Sequence, residues 1–185
     1  MRKLTLGALA LCILGLHGTG QAGVTTIGSS SARLCYMASE SKMRPRALDL
    51  AQCDQALQDE ALVDRDIVAT HVNRGIIRSR LGDLEGALAD FDAATRLDAQ
   101  EPEAYLNKGL TLVLRANKAS SALPLFEMAL SRSTRRPELA YYGRAVAHEE
   151  LGNLASAYAD YVEASRLDPK WQAPKTELAR FSVRR

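Results

Sequence analysis

The chain has 185 residues and a formal net charge of only +2, from 24 basic and 22 acidic side chains. Proteins that bind nucleic acids normally carry a surplus of basic residues, so this near balance argues against a nucleic-acid partner. Two local basic clusters, within residues 132–136 and 180–185, are small enough to be a solvated loop and a solvated tail.

Residues 1–22 have the layout of a secretory signal peptide. Two basic residues precede an apolar run from Leu4 to Leu16, and a polar, glycine-rich stretch leads to the small residue Ala22. The run has thirteen residues, whereas a helix that crosses a bilayer needs roughly 20. We therefore expect cleavage after Ala22, no stable membrane insertion, and an exported protein that is periplasmic or secreted. Removal of this segment lowers the basic count to 22, equal to the acidic count.

The mature chain would begin with a flexible leader and a short helical hairpin. Residues 23–31 are small and polar, which is typical of a leader without a fold of its own. Residues 32–60 predict a degenerate N-terminal hairpin that turns at Pro45, with Cys35 and Cys53 placed symmetrically about the turn. A tightly packed hairpin sets these cysteines side by side, and an even pair in an oxidising compartment favours a disulfide. Two buried thiols are the alternative, and a metal site lacks nearby ligands.

Three columns of residues recur every 35 positions in the segment 61–169. The first and third columns contain alanine and the second contains aromatic residues: Ala87, Ala122 and Ala157; Phe91, Phe126 and Tyr161; Ala94, Ala129 and Ala164. Within each copy the columns are four and three residues apart, so they share one helical face. Three columns in phase indicate three copies of one helical unit, and therefore an all-α solenoid.

Each unit is predicted to be a pair of helices with a short turn. The first helix of the first unit runs from about Asp66 to Arg80, and Gly82 suits the left-handed residue that ends it. Asp83 then caps a second helix over residues 84–97, because its carboxylate accepts hydrogen bonds from free amides. Pro102 opens the next unit, at a position where a missing amide costs little.

These residues resemble the tetratricopeptide repeat family. The family pattern has a small residue in helix one, Gly at the turn, Ala beginning helix two, an aromatic four residues on, Ala three further and a closing Asp-Pro. The first unit matches at Gly75, Gly82, Ala87, Phe91, Ala94 and Asp98, and the third at Ala145, Gly152, Ala157, Tyr161, Ala164, Asp168 and Pro169. The resemblance implies an α-α superhelix, a solenoid of antiparallel helix pairs.

The middle unit departs from the pattern, although Gly109, Ala122, Phe126 and Ala129 fit it. Ala116 and Asn117 replace the Gly turn, and one extra residue separates the two helices. Pro124 lies inside the predicted second helix, where it must either kink that helix or delay its start.

Residues 170–185 predict a C-terminal capping helix. Pro174 suits a position near its beginning, and Leu178 and Phe181 would face back onto the third unit. Trp171, the only tryptophan, is interpreted as a packing residue beside them.

Little in the sequence indicates catalysis. His71 and His148 occupy first-helix positions where a bulky packing residue is expected, and Glu149 and Glu150 are interpreted as solvated helix surface rather than an acid/base pair. We find no residues with metal-ligand spacing, no phosphate-binding glycine loop and no nucleophile elbow. We therefore expect neither an enzyme nor a bound cofactor or metal.

The resemblance implies that the first helices line a concave groove. Alignment of these helices places three rows of residues on the groove: Val72, Leu106 and Tyr142; Ile76, Leu110 and Val146; and Asn73, Asn107 and Gly143. Asparagine side chains both donate and accept hydrogen bonds, as holding an extended peptide backbone requires. The alternative is that the aliphatic side chains pack between units and the asparagines cap local backbone.

The sequence hypothesis is a non-enzymatic scaffold or adaptor of the cell envelope that binds a protein or peptide segment in the groove. One alternative is a self-associating structural protein, and another is an accessory subunit of an envelope enzyme or secretion complex.

Overall fold

The computed structural model describes residues 23, 30–59 and 61–181. The predicted signal peptide, most of the predicted leader and the last four residues of the chain lie outside the described residues. Within the described part the chain forms nine α-helices and no β-strand: α1 Ser30–Glu40, α2 Ala47–Asp59, α3 Asp64–Leu81, α4 Leu84–Leu97, α5 Pro102–Arg115, α6 Ala119–Ser131, α7 Pro137–Glu150, α8 Leu154–Leu167 and α9 Gln172–Leu178. The all-α prediction is confirmed.

The helices stack as four successive pairs followed by α9. Each odd-numbered helix from α1 to α7 packs against the even-numbered helix that follows it, and each of the first helices also contacts the first helix of the next pair. Among the described residues, successive second helices share almost no contacts. Because the first helices contact one another and the second helices hardly do, the stack must curve toward the layer of first helices. We call the side lined by α1, α3, α5 and α7 the concave groove.

The turns within the first and third units follow local backbone chemistry. Gly82 has φ of 93° and Gly152 has φ of 79°, in the left-handed region that favours glycine. The amide of Gly82 donates to the carbonyls of Arg78 and Ser79 and so ends α3. The carboxylate of Asp83 accepts a hydrogen bond from the amide of Gly86 at 2.9 Å and so begins α4.

The turn of the middle unit has an asparagine where the first and third units have glycine. Asn117 adopts φ of 51° there, a conformation that asparagine tolerates better than most residues. Helix α6 begins at Ala119, five residues ahead of Pro124, so the proline does not delay the start of the helix. Proline has no amide hydrogen, and α6 therefore runs with one backbone donor fewer.

The aromatic column forms the centre of the core. Phe91 and Phe126 are fully buried and Tyr161 is 1% exposed, and the alanines of the other two columns are fully buried. Small residues make room for the rings, since a Cβ built on Gly75 would lie 2.6 Å from the ring of Phe91. The three aromatic residues belong to three successive hydrophobic clusters, so the core is distributed along the stack.

The N-terminal hairpin is joined by a disulfide. Cys35 on α1 and Cys53 on α2 are bonded, with Cα atoms 4.9 Å apart, and both are fully buried. They pack against Ile77 of α3, which attaches the hairpin to the first clear unit. The sequence prediction for this pair is confirmed in the structure. Helix α1 begins at Ser30, so the last residues of the predicted leader are helical.

We expect reduction of the Cys35–Cys53 bond to lower the free energy of unfolding by roughly 3 kcal/mol. The bond joins residues 18 positions apart, and closing a loop of about this length restricts the unfolded chain by that amount in the chain-entropy model. Denaturant midpoints of oxidised and reduced protein measure the difference. A Cys35→Ala, Cys53→Ala double variant serves as the control, because its midpoint should not respond to reductant. Equal midpoints for oxidised and reduced wild type would contradict the prediction.

Aromatic contacts attach the last helix to the third unit. The ring of Trp171 lies 4.8 Å from that of Tyr142, and the ring of Phe181 lies 6.0 Å from that of Tyr161, between centroids. Leu178 packs on the same cluster. Residues 172–178 thus cap the stack as the sequence predicted, although α9 begins two residues before Pro174. No helix in the described part of the chain is both long and apolar enough to span a bilayer.

Candidate functional site

Most of the predicted groove side chains are packed inside the protein. Seven of the eight are buried, at 0% exposure for Val72, Asn73, Ile76, Leu106 and Asn107 and at 5% and 6% for Leu110 and Tyr142. Val146 is partly buried. The structure places Val72 and Ile76 in the cluster of Phe91, Leu106 and Leu110 in that of Phe126, and Tyr142 in that of Tyr161. The aliphatic rows therefore contribute to the core.

The two asparagines bind different groups. Asn73 Oδ1 accepts a hydrogen bond from the hydroxyl of Ser39 on α1 at 3.1 Å. Asn107 Nδ2 donates to the carbonyl of Glu103, one turn earlier on α5, at 2.8 Å. The contact of Asn107 is local, as the packing interpretation predicts, while that of Asn73 joins two first helices.

A backbone segment from elsewhere in the chain lies against this surface. Gly23, which is buried, donates its amide hydrogen to Glu40 Oε1 at 2.5 Å. Its carbonyl accepts a hydrogen bond from Arg135 Nη2 at 2.6 Å. Glu40 ends α1, and Arg135 lies in the loop between α6 and α7, 112 positions after Gly23. Gly23 therefore bridges the N-terminal hairpin and this distant loop. Both peptide groups of Gly23 are satisfied by charged side chains.

Arg135 is held in place by a buried carboxylate. Glu103, near the start of α5, is 0% exposed and accepts hydrogen bonds from the backbone amide of Arg135 at 2.7 Å and from the hydroxyl of Thr134. Its Oε1 also lies 3.5 Å from Arg135 Nε. The neighbouring Glu101 caps α5 through the amide of Glu103 at 3.0 Å, and burial raises the pKa of the Glu101 carboxyl.

A second charged cluster joins the helices of the first unit. Asp90 of α4 is 2% exposed and accepts hydrogen bonds from His71 at 3.0 Å, from Arg74 at 2.7 Å and from Arg78 at 2.7 Å. Arg74 also donates to Asp54 of α2 at 2.8 Å. His71, Arg74 and Arg78 all converge on the Asp90 carboxylate, and Arg78 also donates to the carbonyl of Gly86. We interpret it as structural.

The sequence interpretation missed this cluster, although a signal for it exists. Arg144 and Asp160 form the same pair in the third unit, at 2.7 Å, and they follow Arg74 and Asp90 by two periods. The equivalent positions of the middle unit are Lys108 and Leu125. Lys108 pairs instead with Asp92 of the preceding unit. The recurrence of this Arg–Asp pair in the first and third units could therefore have been found from the sequence repeat.

Apolar side chains are exposed at the N-terminal end of the stack. Leu34 and Met37 of α1 are 47% and 55% exposed, and Met43 and Leu48 are 75% and 61% exposed. All four line one depression formed by α1, the turn at Pro45 and α2. Elsewhere in the described residues, no group of three His, Cys, Asp or Glu side chains is placed to hold a metal ion.

Comparison with known proteins identifies the repeats. Residues 68–101 and 139–170 match the tetratricopeptide repeat family model. These two segments correspond to the first and third units, and the divergent middle unit lies between them. None of the curated proteins matches the chain.

Solved structures resemble a large part of the stack. The first TPR domain of the human RPAP3 protein aligns with a TM-score of 0.58 and 21% identity, over 62% of this chain and 88% of that one. Residues 41 to the end of MamA from Desulfovibrio magneticus RS-1 align with a TM-score of 0.62 and 22% identity, over 81% of this chain and 82% of that one. At these identities the likeness establishes the fold.

Proposed function

Since the chain is a tetratricopeptide repeat protein, we propose that it is a non-enzymatic interaction scaffold of the cell envelope that binds an extended peptide segment in its concave groove. Proteins of this family generally mediate contacts between proteins. The signal-peptide pattern of residues 1–22 supports export, and the polar side chains on the concave side support a peptide ligand.

The observation that carries the proposal is the placement of Gly23. Its amide and carbonyl are bound by Glu40 and Arg135 at 2.5 and 2.6 Å, beside Asn73. Charged donors and acceptors that hold both peptide groups of a residue are the chemistry needed to bind a backbone in extended form. A surface that binds one backbone of this chain is suited to bind that of a partner.

The eight groove residues keep a role in this proposal through the two asparagines and the shape of the surface. The aliphatic side chains fix the spacing of α3, α5 and α7, while the buried amides of Asn73 and Asn107 hold Ser39 and the backbone of Glu103 in place on that layer. Binding therefore depends on polar groups supported by a packed layer, rather than on an open apolar cleft.

We expect an Asn73→Ala, Asn107→Ala double variant to lose a partner that the wild type captures from envelope extract. Each amide holds a neighbouring group of the groove in place by a hydrogen bond worth about 1 kcal/mol, so losing both should weaken the affinity by at least tenfold. Affinity capture identifies the partner, and calorimetry with the purified partner measures the change. Circular dichroism confirms that the variant is folded.

Asn153→Ala provides the matched control. Asn153 is exposed in the turn before α8, and its side chain makes no capping hydrogen bond, so this variant should capture as much partner as the wild type. Equal capture by the double variant would refute the role of the groove.

The rival function is self-association, which the exposed apolar residues of the N-terminal hairpin favour. Leu34, Met37, Met43 and Leu48 form an end face that a second copy or a larger envelope complex would cover. Recovery of only the chain itself in the capture experiment, with a mass that rises with concentration, would support this function over peptide binding.

A further inference from the structure

We propose that Ser39, Glu40, Asn73 and Arg135 form a subsite that accepts only glycine, and that Gly23 of the same chain is its resident ligand. We call these four residues the glycine subsite. The inference rests on the proposed function, because it specifies what the groove recognises and what occupies it before a partner binds.

The subsite binds the backbone from opposite sides with opposite charges. The carboxylate of Glu40 accepts the amide hydrogen of Gly23 at 2.5 Å, and the guanidinium of Arg135 donates to its carbonyl at 2.6 Å. Hydrogen bonds to ionised groups are roughly twice as strong as those between neutral groups. The two contacts also fix the direction of the bound backbone, since only one orientation presents its donor to Glu40 and its acceptor to Arg135.

The walls of the subsite leave no space for a side chain. A Cβ built on Gly23 would lie 2.6 Å from Ser39 Oγ, 2.6 Å from Glu40 Oε1 and 3.1 Å from Asn73 Oδ1. Carbon and oxygen atoms that are not bonded do not approach to 2.6 Å, so an alanine would have to displace part of the wall. Moving the Glu40 carboxylate aside would break the hydrogen bond that holds the amide.

The part of the wall formed by Ser39 and Asn73 is fixed by its own hydrogen bonds. Ser39 is 2% exposed, and its hydroxyl lies 2.7 Å from the carbonyl of Tyr36 and 3.1 Å from Asn73 Oδ1. Asn73 is fully buried. Neither residue can move away without leaving buried polar atoms poorly paired, which is unfavourable. The exclusion of side chains is therefore built into α1 and α3.

Glu103 prepares Arg135 for its role. It accepts the backbone amide of Arg135 at 2.7 Å and lies 3.5 Å from the guanidinium Nε, which leaves Nη2 to reach Gly23. The subsite thus draws on α1, α3, the start of α5 and the loop before α7. The subsite forms only when the N-terminal hairpin is packed against the following units, so binding at the subsite requires a correctly assembled solenoid.

Occupation by Gly23 makes the chain its own competitor. A ligand on the same chain is present at a local concentration on the order of millimolar, and an external segment binds only to the fraction of molecules whose subsite is vacant. Gly23 is also the first residue after the predicted cleavage site. Cleavage there converts its amide into an ammonium group, which Glu40 would hold as an ion pair.

The test uses the full chain and a synthetic peptide added in solution. The probe is a fluorescent, end-blocked heptapeptide with the sequence of residues 21–27, Gln-Ala-Gly-Val-Thr-Thr-Ile, and a second probe carries alanine in place of its glycine. Because Gly23→Ala cannot fill its own subsite, it should bind the glycine probe at least about tenfold more tightly than wild type. The alanine probe should bind the same variant at least about tenfold more weakly than the glycine probe.

Two carboxylate variants show which residue holds the peptide. Glu40→Gln, added to Gly23→Ala, should weaken binding of the glycine probe about tenfold, because the charged acceptor is lost. Glu150→Gln, at an exposed glutamate that ends α7 far from the subsite, should leave the affinity unchanged. All variants lie at residues outside the hydrophobic core, and circular dichroism verifies their fold.

The inference is overturned when the glycine and alanine probes bind equally, when wild type and Gly23→Ala bind the glycine probe equally, or when neither binds it. These results are separable from a failure of the proposed function. If the probes bind equally but capture of a partner still requires Asn73 and Asn107, the glycine subsite is refuted and the proposed scaffold function stands. If the subsite selects glycine but capture does not depend on either asparagine, the role of the groove in partner binding is refuted and the subsite stands.

Discussion

Replacing Phe126 with alanine is expected to lower the free energy of unfolding by about 3 to 5 kcal/mol, a large part of the stability of a domain of this size. The ring is fully buried and belongs to the largest hydrophobic cluster, which includes residues of α5, α6 and α7. Its removal leaves a cavity between the middle and third units, where each unit contacts only its neighbours. The loss should therefore weaken both the stability and the coupling between the ends of the stack.

Two probes make the loss of coupling measurable in urea. Far-ultraviolet circular dichroism follows all helices, while fluorescence of Trp171, the only tryptophan, follows the contact with Tyr142 at the C-terminal end. The two transitions should coincide in the wild type and separate in Phe126→Ala. Leu97→Ala, at a leucine 59% exposed, is the control and should change stability by less than about 0.5 kcal/mol. A Phe126→Ala loss below about 1 kcal/mol would contradict the packing argument.

A double-mutant cycle with Gly143 tests the close approach directly. A Cβ at position 143 would lie 2.4 Å from the ring of Phe126 and 3.0 Å from Leu110. Gly143→Ala should therefore be destabilising in the wild type and much less so in the Phe126→Ala background, where the ring is gone. Additive effects of the two substitutions would show that the glycine serves another purpose.

The second large effect is expected at Asp90. Asp90→Asn removes the charge that His71, Arg74 and Arg78 surround, and two guanidinium groups would then face each other without their common carboxylate. Breaking a buried ion pair by removing one partner typically costs about 3–5 kcal/mol. Denaturation of the variant should show a loss in this range. Asp92→Asn is the control on the same helix, because the Asp92 side chain is 42% exposed and its pair with Lys108 contributes little.

The same carboxylate makes stability depend on pH on the acid side. Burial alone would raise the pKa of Asp90, but hydrogen bonds from His71 and Arg74 and the nearby positive charges lower it below its ordinary value. The folded pKa therefore lies below the unfolded one, so Asp90 stabilises the fold above about pH 4, the ordinary value for an aspartate. That stability is lost as the pH falls from there through the folded pKa. A pH series of urea midpoints should show a shallower acid-side decline for Asp90→Asn than for wild type.

Much of the architecture could be predicted because its causes are local. The columns at Ala87, Phe91 and Ala94 recur with a fixed period, and a period of this kind reports one helical face buried in each unit. The break at Gly82 and Asp83 was equally readable, since a left-handed residue followed by a capping carboxylate has few alternatives. The disulfide followed from the symmetry of Cys35 and Cys53 about a turn.

The packing of the candidate site could not be predicted in this way, because it depends on contacts between distant parts of the chain. Positions 72, 76, 106 and 110 were assigned to a groove from their register on the first helices, but register does not report how closely two helices pack. The structure places these side chains within the core. Asn73 was predicted to lie on that layer from its position on α3. Its neighbours Ser39 and Glu40 come from another helix pair, and Arg135 comes from a loop.

The sequence by itself determined that this protein is a stack of tetratricopeptide-type helix pairs, stapled at one end and capped at the other. Helix periodicity, turn residues and cysteine spacing act within about 35 residues, so they are visible in the order of amino acids. Only the tertiary structure decided that Gly23 meets Arg135 and that Asp90 gathers three cationic or hydrogen-bonding partners. Such contacts depend on how each unit is rotated against the next. That rotation results from many small differences in side-chain packing, which a local sequence pattern does not show.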